Sequence, residues 1–152
     1  MKNEVVVTFS FTNKIKKQTT ELLETEYAKY ESLKGVSCNF EQFSIVAKKD
    51  SNIIGVLTGY TAFSEIYIDD LLVLPNYRCK GIGKKLLTYV EQHFRGLGFT
   101  NINLVTNEFQ APEFYKKCGY TLEFIRKNSK FPKFTKYFFI KWLDAKYQLQ
   151  LT

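Results

Sequence analysis

Residues 78–85, RCKGIGKK, combine two glycines with four basic side chains just after a long apolar run. Glycines let a ligand approach the backbone closely, and the free N–H groups at a helix start favour anions. Two phosphate-binding patterns are excluded, because GxxxxGK[ST] is absent and Leu86 replaces the third glycine of GxGxxG. The stretch therefore predicts an anion-binding loop, but neither a Walker loop nor a dinucleotide fold.

Two adjacent carboxylates, Asp69 and Asp70, lie within the apolar run that precedes this loop. Carboxylates are costly to bury without partners, so either could serve as a catalytic base or as an anchor for an amine. Successive strand residues face opposite sides of a sheet, so only one of the two can readily enter a cleft. Glu65 and Tyr67 are weaker candidates on the face that simple alternation assigns to Asp69. The alternative is that both aspartates are solvated or ion-paired near the strand end.

The pattern of apolar residues predicts the elements that position these groups. Residues 65–74 form a central strand that Pro75 ends, and residues 81–95 form a helix with Glu91 off its apolar stripe. The order β, α, β-β-β, α, β, α, β, β predicts a mixed α/β (α+β) sheet. The remaining predicted elements are strands 4–9, 43–49, 53–62, 101–106, 120–127 and 134–143, and helices over 14–32 and from 111.

Composition narrows the chemistry. The length predicts one domain, residues 1–152, with a core of its own. His93 is the only histidine, which excludes Ser-His and Cys-His pairs and His-rich metal sites. The three cysteines are scattered and include no CxxC, so neither a disulfide framework nor a metal site is predicted. Carboxylates, tyrosines and the backbone are left to carry any reaction.

The net charge of +7 is concentrated in the second half of the chain. Residues 1–75 carry 8 Lys/Arg against 10 Asp/Glu, whereas residues 76–152 carry 14 against 5. Such a field attracts nucleic acid, an anionic membrane surface or a phosphorylated cofactor. The N-terminal apolar run is too short for a signal peptide or a spanning helix, which predicts a cytoplasmic protein.

Two motifs resemble those of the GNAT superfamily of acyl-CoA N-acyltransferases. R-C-K-G-I-G at residues 78–83 matches the R/Q-x-x-G-x-G/A signature and follows the V-x-P turn of residues 73–75. About thirty residues later come Asn107, the pair Phe114-Tyr115, and Gly119-Tyr120, in the order typical of the family. The resemblance covers roughly residues 40–143. It implies a mostly antiparallel central sheet of about six or seven strands flanked by helices.

This resemblance implies acetyl-CoA as co-substrate and no metal. The pantetheine arm would lie along Leu72, Val73 and Leu74, with the Val73 backbone polarising the thioester carbonyl. Asn107, Ala111 and Phe114 would contact the arm from the other side, where the two central strands of the family splay apart. The pyrophosphate would be held by Arg78, Cys79, Lys80, Gly81, Ile82, Gly83 and Lys84. Cys79 departs from the pattern, because many members have glycine there.

Tyr115 corresponds to the general acid of the family. A tyrosine with a pKa of about 10 is neutral at pH 7 and can donate to a leaving thiolate; the alternative is an aromatic ring that only packs on the sheet. The run I-D-D-L-L-V is similar to that of diamine acetyltransferases, in which acids at the places of Asp69 and Asp70 meet the polyamine. The resemblance therefore implies direct transfer of an acetyl group to the primary amine of a small cationic molecule.

Three other functions stay open at this point: a non-catalytic acyl-CoA-binding module, a protein N-acetyltransferase, and a basic nucleic-acid-binding domain. The last is suggested by the lysines and aromatic residues of KNSKFPKFTKYFFIKWL, 127–143, although alternation over 134–142 is better explained by a strand. We expect a small-molecule partner and neither nucleic acid nor a membrane. The sequence leaves a homodimer open.

Overall fold

The computed structural model describes residues 7–144 and 146, and the chain divides into two compact units, Met1–Cys38 and Asn39–Thr152. The first unit contains helix α1, Lys17–Leu33, close to the predicted 14–32. Ion pairs join residues three or four apart along it, Lys17 with Glu21 at 3.5 Å and Lys29 with Glu26 at 2.6 Å. Gly35, with φ of +67°, follows the helix end.

The strand predicted for residues 4–9 is not formed in its described part. Residues 4–6 lie outside the described residues, and residues 7–9 have no regular structure. Val7 and Phe9 are exposed. An apolar run becomes a strand only when a neighbouring strand satisfies its backbone, and no described strand pairs with residues 7–9.

The second unit is built on a six-stranded sheet in the order β1-β2-β3-β4-β6-β5. Every neighbouring pair is antiparallel except β3 and β4, which are parallel. This confirms the predicted mixed, mostly antiparallel sheet, and the boundaries fall within about two residues of those predicted. The strands are β1 Glu41–Lys49, β2 Asn52–Ala62, β3 Glu65–Val73, β4 Asn101–Asn107, β5 Thr121–Arg126 and β6 Lys136–Trp142.

Two helices complete this unit, α2 at Ile82–Phe94 and α3 at Pro112–Lys117. Helix α2 forms the crossover from β3 to β4. It packs on one face of the sheet through the apolar stripe that the sequence predicted. The core combines this stripe with the inward side chains of the strands, among them Leu57, Ile66, Ile102, Phe139, Leu86, Leu87, Val90 and Phe94. Among the described residues, no helix combines the length and the apolar character needed to cross a membrane.

Glu91 is buried, although its position off the apolar stripe predicted exposure. Lys141 of β6 explains the difference, because its Nζ lies 2.8 Å from Glu91 Oε1 and also donates to the Cys118 carbonyl oxygen at 3.0 Å. The side chains are only 12% (Glu91) and 26% (Lys141) exposed. One ammonium group thus ties α2, β6 and the end of α3 together.

Candidate active site

The two parallel strands separate after four paired residues. β3 and β4 pair from Glu65 and Asn101 to Ile68 and Leu104. Beyond that point β3 continues to Val73 and β4 to Asn107 without pairing to each other. The opening lies at the carboxyl ends of the strands, from which the 78–85 loop and α3 follow, so the fold brings both sequence motifs to one place.

A cavity of about 400 Å³ lies where the end of β3, the 78–85 loop and α3 meet. Most of the predicted cofactor-binding residues line it, and so does Tyr115. Leu71 and Tyr77 line it as well and were not predicted. Alternation with Val73 could have indicated Leu71, whereas nothing in the sequence pointed to Tyr77. The complete lining is Leu71, Val73, Tyr77, Arg78, Cys79, Gly81, Ile82, Gly83, Lys84, Ala111, Phe114 and Tyr115.

Several predicted site residues lie elsewhere. Leu72 and Leu74 are exposed and do not line the cavity. Lys80 Nζ donates to the Asn76 carbonyl oxygen at 3.1 Å. Both the backbone N–H and the side-chain amide of Asn107 donate to Gln110 Oε1, at 2.8 and 3.1 Å. The Lys80 contact holds the loop after β3, and the two Asn107 contacts hold the loop after β4.

The 78–85 loop presents backbone N–H groups that can bind an anion. Gly81, with φ of +76°, precedes α2, and the first helical donor back to it is the Lys85 N–H at 3.0 Å. The N–H groups of the intervening residues in this first turn have no intrahelical acceptor. At Gly83 a Cβ would lie 3.0 Å from Phe114 Cζ, so a larger residue there would require the Phe114 ring to move by a few tenths of an ångström.

Cys79 adopts the left-handed conformation, with φ of +57°. This region favours glycine, and a side chain with a Cβ is strained there by about 1 kcal/mol. The backbone therefore gives a physical reason why glycine suits this position, and Cys79 is retained at some cost in stability. Its side chain is exposed and lines the cavity.

Tyr115 is the most buried residue of the cavity wall, with 9% exposure. Its ring packs on Phe139 and Tyr120, with centroids 5.9 and 6.1 Å away. Burial raises the pKa of Tyr115 to about 12, and Cys118 adds a smaller electrostatic contribution. The hydroxyl therefore keeps its proton throughout the physiological range. Both functions considered for this tyrosine, packing on the sheet and lining a site, fit its position.

Comparison with known proteins identifies the family. The sequence model of the acetyltransferase (GNAT) family matches residues 11–120, more than half of the chain. This chain belongs to the GNAT acetyltransferase family. No curated protein matches the sequence.

Solved structures of GNAT acetyltransferases share the fold. An acetyltransferase from Bacillus cereus ATCC 14579 is 28% identical, with a TM-score of 0.71 over 88% of this chain and 97% of that chain. An aminoglycoside 6'-N-acetyltransferase complexed with coenzyme A is 17% identical, with a TM-score of 0.59 over 84% and 90%. The ribosomal-protein-S18-alanine N-acetyltransferase from Escherichia coli is 13% identical, with the same TM-score and coverage.

A β-bulge in this GNAT protein changes the predicted geometry of the acidic residues. Ile68 pairs with Gly59 and Asp70 with Thr58, which leaves Asp69 as the extra residue. Glu65 and Tyr67 therefore share a face with Asp70, which simple alternation does not predict. Both aspartates are exposed and neither lines the cavity. Thr58 Oγ1 donates to Asp70 Oδ2 at 3.0 Å.

The sheet face that carries Asp70 also holds a polar network. Tyr67 donates to Glu65, and Asn101 Nδ2 donates to the other Glu65 oxygen at 3.1 Å. Asn103 Nδ2 donates to Asn101 Oδ1 at 3.0 Å. Among the described residues of the GNAT protein, no three His, Cys, Asp or Glu side chains are grouped to hold a metal ion.

Proposed function

We propose that this GNAT protein transfers an acetyl group from acetyl-CoA directly to the primary amine of a small cationic molecule. The observation that carries the proposal is the cavity beside the end of β3, which the anion-binding loop and Tyr115 line together.

The cavity lining suits the two chemically different parts of coenzyme A. Unbonded N–H groups at the start of α2, together with the charges of Arg78 and Lys84, suit the pyrophosphate. Leu71, Val73 and Phe114 supply an apolar wall for the pantetheine arm. Bound acetyl-CoA would supply an acetyl group activated as a thioester.

Tyr115 is the group we propose to stabilise the leaving thiolate of coenzyme A. Its pKa of about 12 lies above the value of about 8.5 for a free thiol. Complete proton transfer to a thiolate is therefore unfavourable on its own, whereas a hydrogen bond to negative charge developing on sulfur is favourable. We expect Tyr115 to stabilise the leaving thiolate mainly as a hydrogen-bond donor that never loses its proton at neutral pH.

The acceptor side is assigned to the acidic residues of β3. Asp69 is the extra residue of the bulge, whereas Asp70 pairs with Thr58 and lies on the face of the Glu65 network. Two carboxylates near the end of the open strand favour a cationic amine, because they would offset its charge. Thiol release from acetyl-CoA by Asp69→Asn and by Asp70→Asn shows which aspartate acts as base, because turnover should fall more in the variant that lacks it.

Ligand binding tests the proposal first. Thermal unfolding is followed with acetyl-CoA, ATP, NADH and an oligonucleotide in parallel, because a ligand at about 100 times its Kd stabilises by roughly 2.7 kcal/mol. We expect stabilisation by acetyl-CoA alone. A shift with the oligonucleotide and none with acetyl-CoA would refute the proposal in favour of nucleic-acid binding.

Turnover then separates an enzyme from a binding module. Thiol release from acetyl-CoA is measured with polyamines, aminoglycosides, amino acids and peptides with free N-termini. We expect release with a small polycationic amine. Release only with peptides would instead identify a protein N-acetyltransferase, and binding of acetyl-CoA with no release in any arm would favour a non-catalytic module.

A further inference from the structure

Tyr77 lines the cavity, and two lysine ammonium groups lie over its aromatic ring. Lys80 Nζ lies 5.6 Å from the ring centroid and Lys49 Nζ lies 5.8 Å from it. Lys80 is close in sequence, but Lys49 comes from the end of β1, next to the turn at Asp50 and Ser51. Both turn residues have positive φ, as in the tight turns that match strand twist, so the hairpin presents Lys49 on a defined backbone.

Within the described part of the chain, the cations around this cavity form no ion pairs. Arg78 and Lys84 line it, and Lys49 and Lys80 lie on the ring of Tyr77. No ion pair between described residues includes any of the four. A bound anion would offset the charge of these four cations.

We propose that Lys49 and Tyr77, together with Lys80, bind the adenosine 3',5'-bisphosphate half of coenzyme A. This inference rests on the proposed function, since it extends the same site towards the β1–β2 hairpin. The nucleotide half fits because it joins phosphate groups to a flat aromatic base, whereas the pantetheine arm is uncharged. Lys49 thus becomes a specificity-determining residue that lies outside both sequence motifs.

The test measures binding of two probes, coenzyme A and adenosine 3',5'-bisphosphate, by calorimetry to the full chain. Lys49→Gln removes the charge, Lys49→Arg keeps it, and Tyr77→Leu removes the ring. Lys48→Gln is the matched control, because it removes the same charge from the adjacent residue. Lys48 lines a separate groove with Ile45 and Tyr89.

We expect Lys49→Gln to weaken both probes by the same factor, about ten- to a hundredfold, as for a lost hydrogen bond to a charged group. Lys49→Arg and Lys48→Gln should stay within twofold of the wild type. In a Tyr77→Leu background, Lys49→Gln should have a smaller effect, since the ring that places it is gone.

Three outcomes would overturn the inference. Lys49→Gln could bind either probe as the wild type does, Lys48→Gln could be equally impaired, or Lys49→Gln could change the melting temperature without changing affinity. Each of these leaves the proposed function intact, provided that the wild type binds coenzyme A. Absence of coenzyme A binding by the wild type would instead refute both proposals.

Discussion

The Arg78 guanidinium donates from Nε to the carbonyl oxygen of Val73 at 2.9 Å. The first residue of the anion-binding loop is thereby fixed to the last residue of β3. Only one of the five N–H donors of this arginine is used in the contact, so the outer nitrogens can still face a phosphate. The loop and the strand end consequently behave as one unit.

Arg78 substitutions should separate charge from positioning. We expect Arg78→Met to weaken acetyl-CoA binding about tenfold and to lower the free energy of unfolding by about 1 kcal/mol. Arg78→Lys keeps the charge but loses the planar donor set, so its affinity should fall about threefold. Calorimetry and urea unfolding measure the two effects. Wild-type affinity in Arg78→Lys would show that charge alone matters.

Tyr115→Phe should impair turnover and spare binding. Loss of a hydrogen-bond donor to developing charge typically lowers kcat about 100-fold. Acetyl-CoA affinity should stay within twofold, because the ring remains. Tyr120→Phe is the control, since this neighbouring buried tyrosine does not line the cavity and its hydroxyl lacks a partner among the described residues. An equal loss in both variants would contradict the role of Tyr115.

Stability should fall at alkaline pH because of Tyr115. The folded-state pKa of about 12 exceeds the value of about 10 in an unfolded chain, so the stabilisation is complete below pH 10 and is lost as pH rises to 12. Between pH 9 and pH 11 Tyr115 should account for a loss of about 1 kcal/mol. Urea unfolding of Tyr115→Phe should show a correspondingly smaller fall than that of Tyr89→Phe, an exposed control.

Cys79→Gly should stabilise the protein. The left-handed conformation at this position strains any residue with a Cβ, so glycine should raise the free energy of unfolding by about 0.5–1 kcal/mol. Cys79→Ala removes the thiol and retains the Cβ, and should leave the stability unchanged within about 0.3 kcal/mol. Equal gains in the two variants would attribute the effect to the sulfur instead of the backbone.

Lys141→Met should destabilise the fold by about 2–3 kcal/mol, because it leaves the Glu91 carboxylate without its partner in a largely buried place. Adding Glu91→Leu should restore at least half of the loss. Lys116→Met serves as the surface comparison, since the Lys116–Glu113 pair is exposed and should contribute less than about 1 kcal/mol. Additive losses in the double variant would mean that the two residues are not coupled. Chemical unfolding of the wild type and of the Lys141→Met, Glu91→Leu, double and Lys116→Met proteins supplies all five values.

Local patterns were enough to predict a mixed sheet and helix α2, and the family resemblance named most of the residues that line the cavity. The motif around Gly81 and the motif around Tyr115 are each contained in a short segment, and the parallel β3–β4 pair follows from the crossover between them. Their meeting at one opening was therefore accessible from the sequence.

Features that depend on residues distant in the chain could not be predicted from the sequence. The bulge at Asp69 exists only in relation to β2, and two adjacent aspartates in an apolar run give no sign of it. Burial of Glu91 depends on Lys141, fifty residues later, and the contact of Tyr77 with Lys49 depends on a hairpin turn. Charge and periodicity describe only the neighbouring residues along the chain, so they do not predict contacts between distant residues.

The separation of β3 from β4 gives the sheet two extra edges in its interior. Beyond Ile68 and Leu104 the strands turn hydrogen-bonding backbone towards each other across a gap that neither fills. Exposed outer edges invite pairing with foreign chains, whereas an inner edge admits only a ligand narrow enough to enter. The amide hydrogens of β3 beyond Ile68 and of Val105 or Thr106 that point into this gap are therefore the ones whose exchange with solvent should slow most when a ligand completes the sheet, whereas the Asn107 amide already donates to Gln110.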